Sequence, residues 1–266
     1  MHALAAVLGC SVLIGAAHAP IAIHHEVSEA RYRKFGESFP TVVQVGGLAS
    51  GVLVAPDWVL TVAHAPEMLR RMRPDDPLTV RVGEVDHVVT RVVVPDARAT
   101  EKDRHDIALL QLEEPVAKKI VPLALHGAKV APGAEFAIVG WGVLAQGDAG
   151  IRLTPAAMAS PTRARRAGWN KVTRVDAEKG LIYSMFDDGE QRHELEAAPC
   201  IGDSGGPILI RIEPEEEGAG PVWEIAGVVA LVDDTDEDRI LGEYGEEFGV
   251  TAVKAYAKWI RETLAD

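Results

Sequence analysis

Hydrophobic residues in this chain come in short runs rather than in long helical stretches. From residue 40 onward the runs are rich in Val, Ile and Leu, and Gly, Pro and Asp cluster between them. Such runs between turn residues are typical of strands, and their regular recurrence indicates a sandwich or a barrel. The predicted strands are TVVQVGG, SGVLVAP, WVLTVAH, LTVRVGE, DHVVTRVVVP, DIALLQL, EFAIVGWG, GLIYSMF, GPILIRI and EIAGVVALV. The sequence therefore predicts an all-β protein.

Three segments depart from this strand pattern. Residues 250–264 read VTAVKAYAKWIRETL, and their apolar positions recur at helical spacing, which predicts one C-terminal helix. HGAKVAPGA at 126–134 is the best candidate for a link between two halves, and RARRAGWNKVTR at 163–174 indicates an exposed basic loop. The apolar face of the predicted helix comprises Val253, Tyr256, Ile260 and Leu264.

Size and charge narrow the class of protein. The chain has 266 residues, 47% of them hydrophobic, which is enough to bury a substantial core without crosslinks. Its net charge of -13 argues against a nucleic-acid partner, because such partners are bound by neutralising phosphates.

The first nineteen residues look like an export signal. Residues 1–19 contain no Asp, Glu, Lys or Arg and end in Ala17-His18-Ala19, which resembles a cleavage site. A membrane anchor and a lipid-attachment box at Cys10 are the alternatives, although the run is short for a membrane span. We therefore expect a secreted or periplasmic protein without stable membrane insertion after processing. Removal of the signal would leave Cys200 as the only cysteine and exclude an intramolecular disulfide.

The motif Gly202-Asp203-Ser204-Gly205-Gly206 fits the nucleophile turn of two unrelated folds. In α/β-hydrolases the catalytic histidine follows the serine, but the last histidine of this chain is His193, which precedes Ser204. The other arrangement needs a histidine and then an aspartate before the serine. DWVLTVAHA supplies His64 after an apolar strand, and HDIALLQL supplies Asp106 before another. The order His, Asp, Ser is that of a chymotrypsin-type triad.

These motifs, together with GWG at 140–142, GDSGGP at 202–207 and the closing YAKWIRETL, resemble the trypsin-like (chymotrypsin-fold) serine proteases of family S1. The resemblance covers nearly the whole mature chain. It implies two packed six-stranded antiparallel β-barrels, one within 20–128 and one within 129–266, followed by the terminal helix. It also implies a serine endopeptidase that cleaves protein or peptide substrates. A binding or regulatory protein on the same fold is the alternative.

Each motif residue has a chemical role in such an enzyme. Ser204 would attack the carbonyl, His64 would accept its proton, and Asp106 would orient the imidazole. Asp103 and His105 are rivals of Asp106, but the register of DIALLQL favours Asp106. The backbone N–H groups of Gly202 and Ser204 would form the oxyanion hole.

The resemblance also assigns roles to neighbouring residues. Asp203 would pair with an amine freed by processing at Ile21 or Ile23. The substrate pocket would be lined by Ala198, Ala230 and Val232, which favours small or medium apolar side chains, although a shifted register would bring Glu196 into it. Apolar residues stand where relatives have bridged cysteines, so Cys200 is expected to be a buried free thiol. These replacements are Ala49, Ala65, Phe136 and Ile210.

No metal-ligand spacing is visible, and no cofactor is expected. DDTDEDRILGEYGEE at 233–247 carries eight acids in a loop near the expected pocket mouth. It is interpreted as a solvated loop, with steering of cationic substrates or calcium binding as alternatives. The histidines without a partner motif are expected on the surface; they are His24, His25, His87, His126 and His193.

Overall fold

The computed structural model describes residues 21–100, 105–152, 154, 156, 164–214, 220–232 and 238–266. Apolar strands dominate these segments, and two sets of six close on themselves. The first set forms a closed antiparallel barrel in the order β2-β3-β4-β7-β6-β5. Its strands are β2 (Val42–Val45), β3 (Ala49–Ala55), β4 (Trp58–Thr61), β5 (Thr79–Val82), β6 (Val85–Val93) and β7 (Ala108–Leu112).

The second set is antiparallel in the order β15-β9-β12-β13-β18-β16, and pairing of β16 with β15 closes it. The expected pair of six-stranded barrels is thus confirmed. The strands of this barrel are β9 (Glu135–Gly140), β12 (Arg166–Asp176), β13 (Leu181–Met185), β15 (Pro207–Ile212), β16 (Val222–Val232) and β18 (Glu247–Ala252).

Short strands and three helices complete the described fold. The short strands are β1 (Ile21–Ile23), β8 (Ala124–Leu125), β10 (Leu144–Gln146), β11 (Ile151–Arg152), β14 (Ala197–Ala198) and β17 (Ile240–Leu241). The helices are α1 (Glu29–Gly36), α2 (His64–Met72) and α3 (Val253–Ala265), with a 3₁₀ turn at Asp96–Ala99. No described helix is long and apolar enough to cross a membrane.

The first and last elements of the described chain cross over between the barrels. β1 pairs with β10 and β14 of the second half, and its residues lie in the apolar cluster of that half. In the opposite direction, Val253, Tyr256 and Ile260 of α3 belong to the cluster that fills the first barrel and the barrel interface. Burial of apolar side chains of β1 and α3 therefore stabilises the packing of the two barrels against each other.

Three local expectations need correction. The helix begins at Val253 rather than at residue 250, because residues 250–252 complete β18, and Thr263 is its last buried position while Leu264 is half-buried. The basic stretch at 163–174 forms most of β12. Its charges can be buried because Arg166 is paired with Glu29 and Arg165 donates to the carbonyls of Gly36 and Val42.

The histidines without a partner motif are also less exposed than expected. His25 is the only one of the five that is fully exposed. His24 is 3% exposed, and His126 lies 2.8 Å from a carboxylate oxygen of Glu224. Histidine can be buried when a ring nitrogen finds a partner, which the linear sequence does not reveal.

Candidate active site

Pairing between β4 and β7 brings His64 and Asp106 together. Thr61, the last residue of β4, pairs with Ala108, the first residue of β7, so the chain leaves one strand and enters the other at the same barrel edge. His64 follows Thr61 by three residues and begins α2, and Asp106 lies two residues before Ala108. Antiparallel pairing thus places side chains 42 positions apart at one point.

One histidine holds both oxygens of the Asp106 carboxylate. The His64 backbone N–H donates to Oδ1 at 2.9 Å, and Nδ1 lies 2.5 Å from Oδ2. With Nδ1 as the donor to the carboxylate, Nε2 is left as the acceptor that a general base needs. The imidazole is about one-third exposed, so it faces an open cleft.

Arg98 is a neighbour of Asp106 that the sequence motifs do not indicate. It is 6% exposed, and its Nη1 lies 3.3 Å from Asp106 Oδ1. Its Nε donates to Glu67 Oε1 at 3.0 Å, which fixes the guanidinium between two carboxylates. Burial would raise the pKa of Asp106, but the hydrogen bonds and charge of His64 and the charge of Arg98 together lower it. Asp106 is thereby kept ionised.

Ser204 lies in the turn between β14 and β15, on the second barrel. The turn is closed by hydrogen bonds from Asp203 N to the Cys200 carbonyl at 3.0 Å and from Gly206 N to the Asp203 carbonyl at 2.7 Å. Gly205 has a φ of +82°, and a Cβ there would lie 2.0 Å from Thr61 Oγ1. Only glycine allows this contact, which docks the serine turn against the strand that leads to His64.

Two backbone donors in this turn have no acceptor. Within the described part of the chain, neither the Gly202 N–H nor the Ser204 N–H takes part in a hydrogen bond. Unpaired N–H groups on one glycine-rich turn are suited to binding the oxygen of a tetrahedral intermediate. The described residues also form no hydrogen bond between the His64 ring and the Ser204 hydroxyl, a contact that in unliganded enzymes often tightens only with substrate.

Asp203 is buried behind the same turn. It is 1% exposed, and its carboxylate accepts hydrogen bonds from Gly142 N and Cys200 N, both at 2.8 Å. Burial raises the pKa of Asp203 to about 7, although these two bonds and the charge of Arg166 oppose the rise. A cation beside this carboxylate would therefore stabilise it strongly.

A cavity of about 340 Å³ opens beside His64 and Asp106. Ala230 and Leu231 of β16 and Thr251 of β18 form part of its wall. Of the other predicted pocket residues, Ala198 is buried on β14, and Val232 is half-buried and paired with Phe248 of β18. Of the three predicted pocket residues, only Ala230 lines this cavity.

Glu196 and the acidic segment 233–247 have contacts that differ from those expected from the sequence. Glu196 is 1% exposed and accepts a hydrogen bond from His193 N at 2.9 Å. Within 233–247, residues 233–237 lie outside the described residues, β17 pairs with β11, and Glu246 accepts from Gly242 N. The described part of this segment is thus partly ordered by strand pairing and is not only a solvated loop.

The described residues include one buried free cysteine, Cys200, and no side-chain cluster suited to a metal. Cys200 is 2% exposed, and burial raises the pKa of its thiol, so it packs as an apolar residue. No cluster of three or more His, Cys, Asp or Glu side chains suited to a metal forms among the described residues. Calcium binding by 233–247 stays a prediction.

A double barrel with a hydrogen-bonded His–Asp pair on the first barrel and a glycine-rich serine turn on the second is the arrangement of chymotrypsin-like serine proteases. The family model for trypsin matches residues 28–260, and the chain belongs to this family.

Curated relatives and a solved structure agree with this membership. Kallikrein-15 of Saguinus oedipus is 28% identical over 222 residues, covering 80% of both chains, and human granzyme M is 28% identical over 226 residues, covering 81% of this chain and 79% of its own. Rat vitamin K-dependent protein C is 27% identical, but the match spans only 46% of its length. Mouse neuropsin, a serine protease, shares the fold with a TM-score of 0.59 at 20% identity, covering 86% of this chain and 96% of neuropsin.

Proposed function

We propose that the protein is an exported serine endopeptidase with His64, Asp106 and Ser204 as its catalytic triad. The observation that carries this proposal is the doubly held His64–Asp106 pair, because the strand that leads to His64 packs at Thr61 against a serine turn with two unpaired N–H groups. An ion pair with only a structural role would not explain the unpaired N–H groups of Gly202 and Ser204. The substrate would be a protein or peptide chain.

The geometry supports the following reaction. The Ser204 hydroxyl attacks the carbonyl carbon while His64 Nε2 takes its proton, and Asp106 stabilises the resulting imidazolium. The Gly202 and Ser204 N–H groups bind the oxyanion, each contributing roughly 3 kcal/mol to the transition state. Collapse of the intermediate breaks the C–N bond and passes the proton from His64 to the leaving amine. Water then cleaves the acyl-enzyme by the same steps.

Covalent labelling tests the proposal. A fluorophosphonate probe should label the processed wild-type protein at Ser204, and Ser204→Ala should abolish labelling. His64→Ala should slow labelling by several orders of magnitude without unfolding the protein, because the nucleophile would lose its base. Absence of labelling in folded, processed wild type would instead favour a binding or regulatory protein on the protease fold.

The preferred residue before the cleaved bond is proposed to be small or medium and apolar. Ala198 carries no charge that could select Lys or Arg, and a valine at position 232 leaves less room than a glycine would. Glu196 has its carboxylate bonded to His193 N, which supports its exclusion from the pocket. A panel of peptides differing only at this residue should give the highest kcat/KM for Ala or Val, and strong cleavage after Arg would contradict the assignment.

Activation is proposed to follow removal of the leader before Ile21. Ile21 pairs with Leu144, two residues from Gly142, and Gly142 N binds Asp203. An amine at Ile21 would start next to this carboxylate, whereas Ile23 pairs with Gln146, farther along β10. This register favours Ile21 over Ile23 as the activating terminus. Export to a secreted or periplasmic location would supply the processing step.

A further inference from the structure

Ser50 connects the first barrel to the serine turn of the second. It lies on β3 and is fully buried. Its Oγ donates to the Gly202 carbonyl at 3.0 Å and accepts from Trp141 N at 2.9 Å. Its backbone N–H donates to the Ser204 carbonyl at 2.9 Å. One residue thus holds both residues whose N–H groups are left unpaired.

These contacts restrict the orientation of the two donors. The Gly202 carbonyl belongs to the peptide plane that directly follows the Gly202 N–H, and the Ser204 carbonyl follows the Ser204 N–H in the same way. Gly202 has a φ of +92° and no side chain, so without an outside contact its following plane could rotate. Ser50 Oγ supplies that contact from a rigid strand.

The strand beneath the turn is itself held in place. Thr61 Oγ1 donates to the Ser50 carbonyl at 2.7 Å, which ties β4 to β3. A Cβ on Gly205 would lie 2.3 Å from the Ser50 carbonyl oxygen, so the turn packs directly on this backbone. The Trp141 N–H that binds Ser50 Oγ precedes Gly142, the partner of Asp203. The hydroxyl therefore joins the turn, the 140–142 segment and the first barrel.

We propose that Ser50 is a positioning residue whose hydroxyl orients the oxyanion-binding N–H group of Gly202, while its backbone N–H holds Ser204. The inference rests on the proposed function, because it assumes that these donors bind the oxyanion. Preorganised donors lower the barrier only when they already point at the developing charge. A misoriented pair would therefore weaken transition-state binding more than substrate binding.

The test compares Ser50→Ala with Ser184→Ala. Ser184 is also fully buried, and its hydroxyl lies 2.6 Å from Asn170 Oδ1 and 2.5 Å from the Lys171 carbonyl oxygen, but it lies on β13. Both variants should lose similar thermal stability. Ser50→Ala should lower kcat per labelled active site by roughly tenfold with KM within about twofold, and should weaken a peptide boronate inhibitor by a similar factor. Ser184→Ala should leave all three unchanged.

Several outcomes decide the question. An unchanged kcat and boronate affinity in Ser50→Ala would overturn the inference, as would equal losses in Ser184→Ala. Counting active sites by exhaustive fluorophosphonate labelling removes any unfolded fraction, and Ser50→Gly gives a second variant without the hydroxyl. If wild type itself neither labels nor turns over substrate, the proposed function fails; if wild type is active and Ser50→Ala equals it, only this inference fails.

Discussion

Arg98 changes the electrostatics of Asp106 without touching the reacting atoms. Replacing it by Met would remove the cation at 3.3 Å from Asp106 Oδ1 and raise the pKa of that carboxyl. A carboxylate with a lowered pKa contributes to stability, and this contribution is lost as the pH falls through the pKa. Because the pKa is higher in the variant, the loss begins at a higher pH. The free energy of unfolding of Arg98→Met should therefore begin to fall at a pH roughly half a unit higher than that of wild type.

Urea unfolding of both proteins across the acid range gives this profile. The charged and titratable side chains that line the cavity are His64, Glu67, Arg71, Arg98 and Asp106. Arg81→Met is a matched control because Arg81 forms an exposed ion pair with Asp86. Superimposable profiles for Arg98→Met and wild type would show that the Arg98 charge does not reach the catalytic pair.

Glu196 predicts a pH dependence of stability. Burial raises its pKa from 4.5 to about 7. Between these two pH values the folded state binds more protons than the unfolded state. The contribution of Glu196 to stability is therefore fully present below about pH 4.5 and is lost as the pH rises to about 7. Glu196→Gln should remove a decline on the order of 3 kcal/mol across this window.

Urea unfolding of wild type and Glu196→Gln at pH 4.5, 5.5, 6.5 and 7.5 measures this decline. Glu194→Gln is the control, because the Glu194 carboxylate is largely exposed beside Arg31. Parallel stability curves for wild type and Glu196→Gln would exclude a neutral, buried Glu196.

The turn that carries Ser204 depends on close contact with the first barrel. Gly205→Ala would combine a positive φ with a Cβ 2.3 Å from the Ser50 carbonyl oxygen. Gly133→Ala shares the positive φ of +84° but has no atom within 4 Å of its Cβ. We expect a cost of about 1 kcal/mol for Gly133→Ala and clearly more for Gly205→Ala, with loss of labelling only in the latter. Equal unfolding free energies and equal labelling would contradict this contact.

The strands and terminal helix were largely predictable because their patterns are local. Val, Ile and Leu runs between turn residues indicate strands, and a period of 3.6 indicates a helix. The six strands of two or three residues are too short to show a period. The pattern does not indicate β12, because its arginines suggest exposure, whereas Glu29 pairs with Arg166 and backbone carbonyls accept from the neighbouring Arg165.

The candidate site also contains residues that the sequence predicts and residues that it does not. His64, Asp106 and Ser204 lie in motifs that a single sequence can display, and their roles stay predictions. Ser50 and Arg98 join the site through strand register and turn packing between residues far apart in sequence. Nothing in their local sequence signals such contacts, since register across a barrel is set by the whole hydrophobic pattern.

The position of β1 couples processing of the chain to the turn that carries Ser204. β1 lies between β10 and β14, and β14 ends two residues before Cys200, a donor to Asp203. Ile21 is fully buried and has a φ of +70°, an unfavourable conformation for a β-branched residue inside a chain. A chain that begins at Ile21 has no preceding carbonyl, so this conformation would no longer carry its steric cost.

A chain whose first residue is Ile21 should therefore be more active than one with a single extra residue. Its amine would face the buried Asp203 and lower the pKa of that carboxyl from about 7, each unit corresponding to about 1.4 kcal/mol of interaction. We expect the Ile21 form to label with a fluorophosphonate at least roughly tenfold faster than the form with Gly added before Ile21.

Asp203→Asn, made in both forms, is the control that identifies the partner. It should remove most of the difference between the two forms, because the amine would then meet a neutral amide. Forms starting at Ile21 and Ile23 should also differ, since Ile23 pairs with Gln146 rather than with Leu144. Equal labelling rates with and without the added Gly would mean that the cleft is already competent in the unprocessed chain, as expected if buried Arg166 alone compensates Asp203.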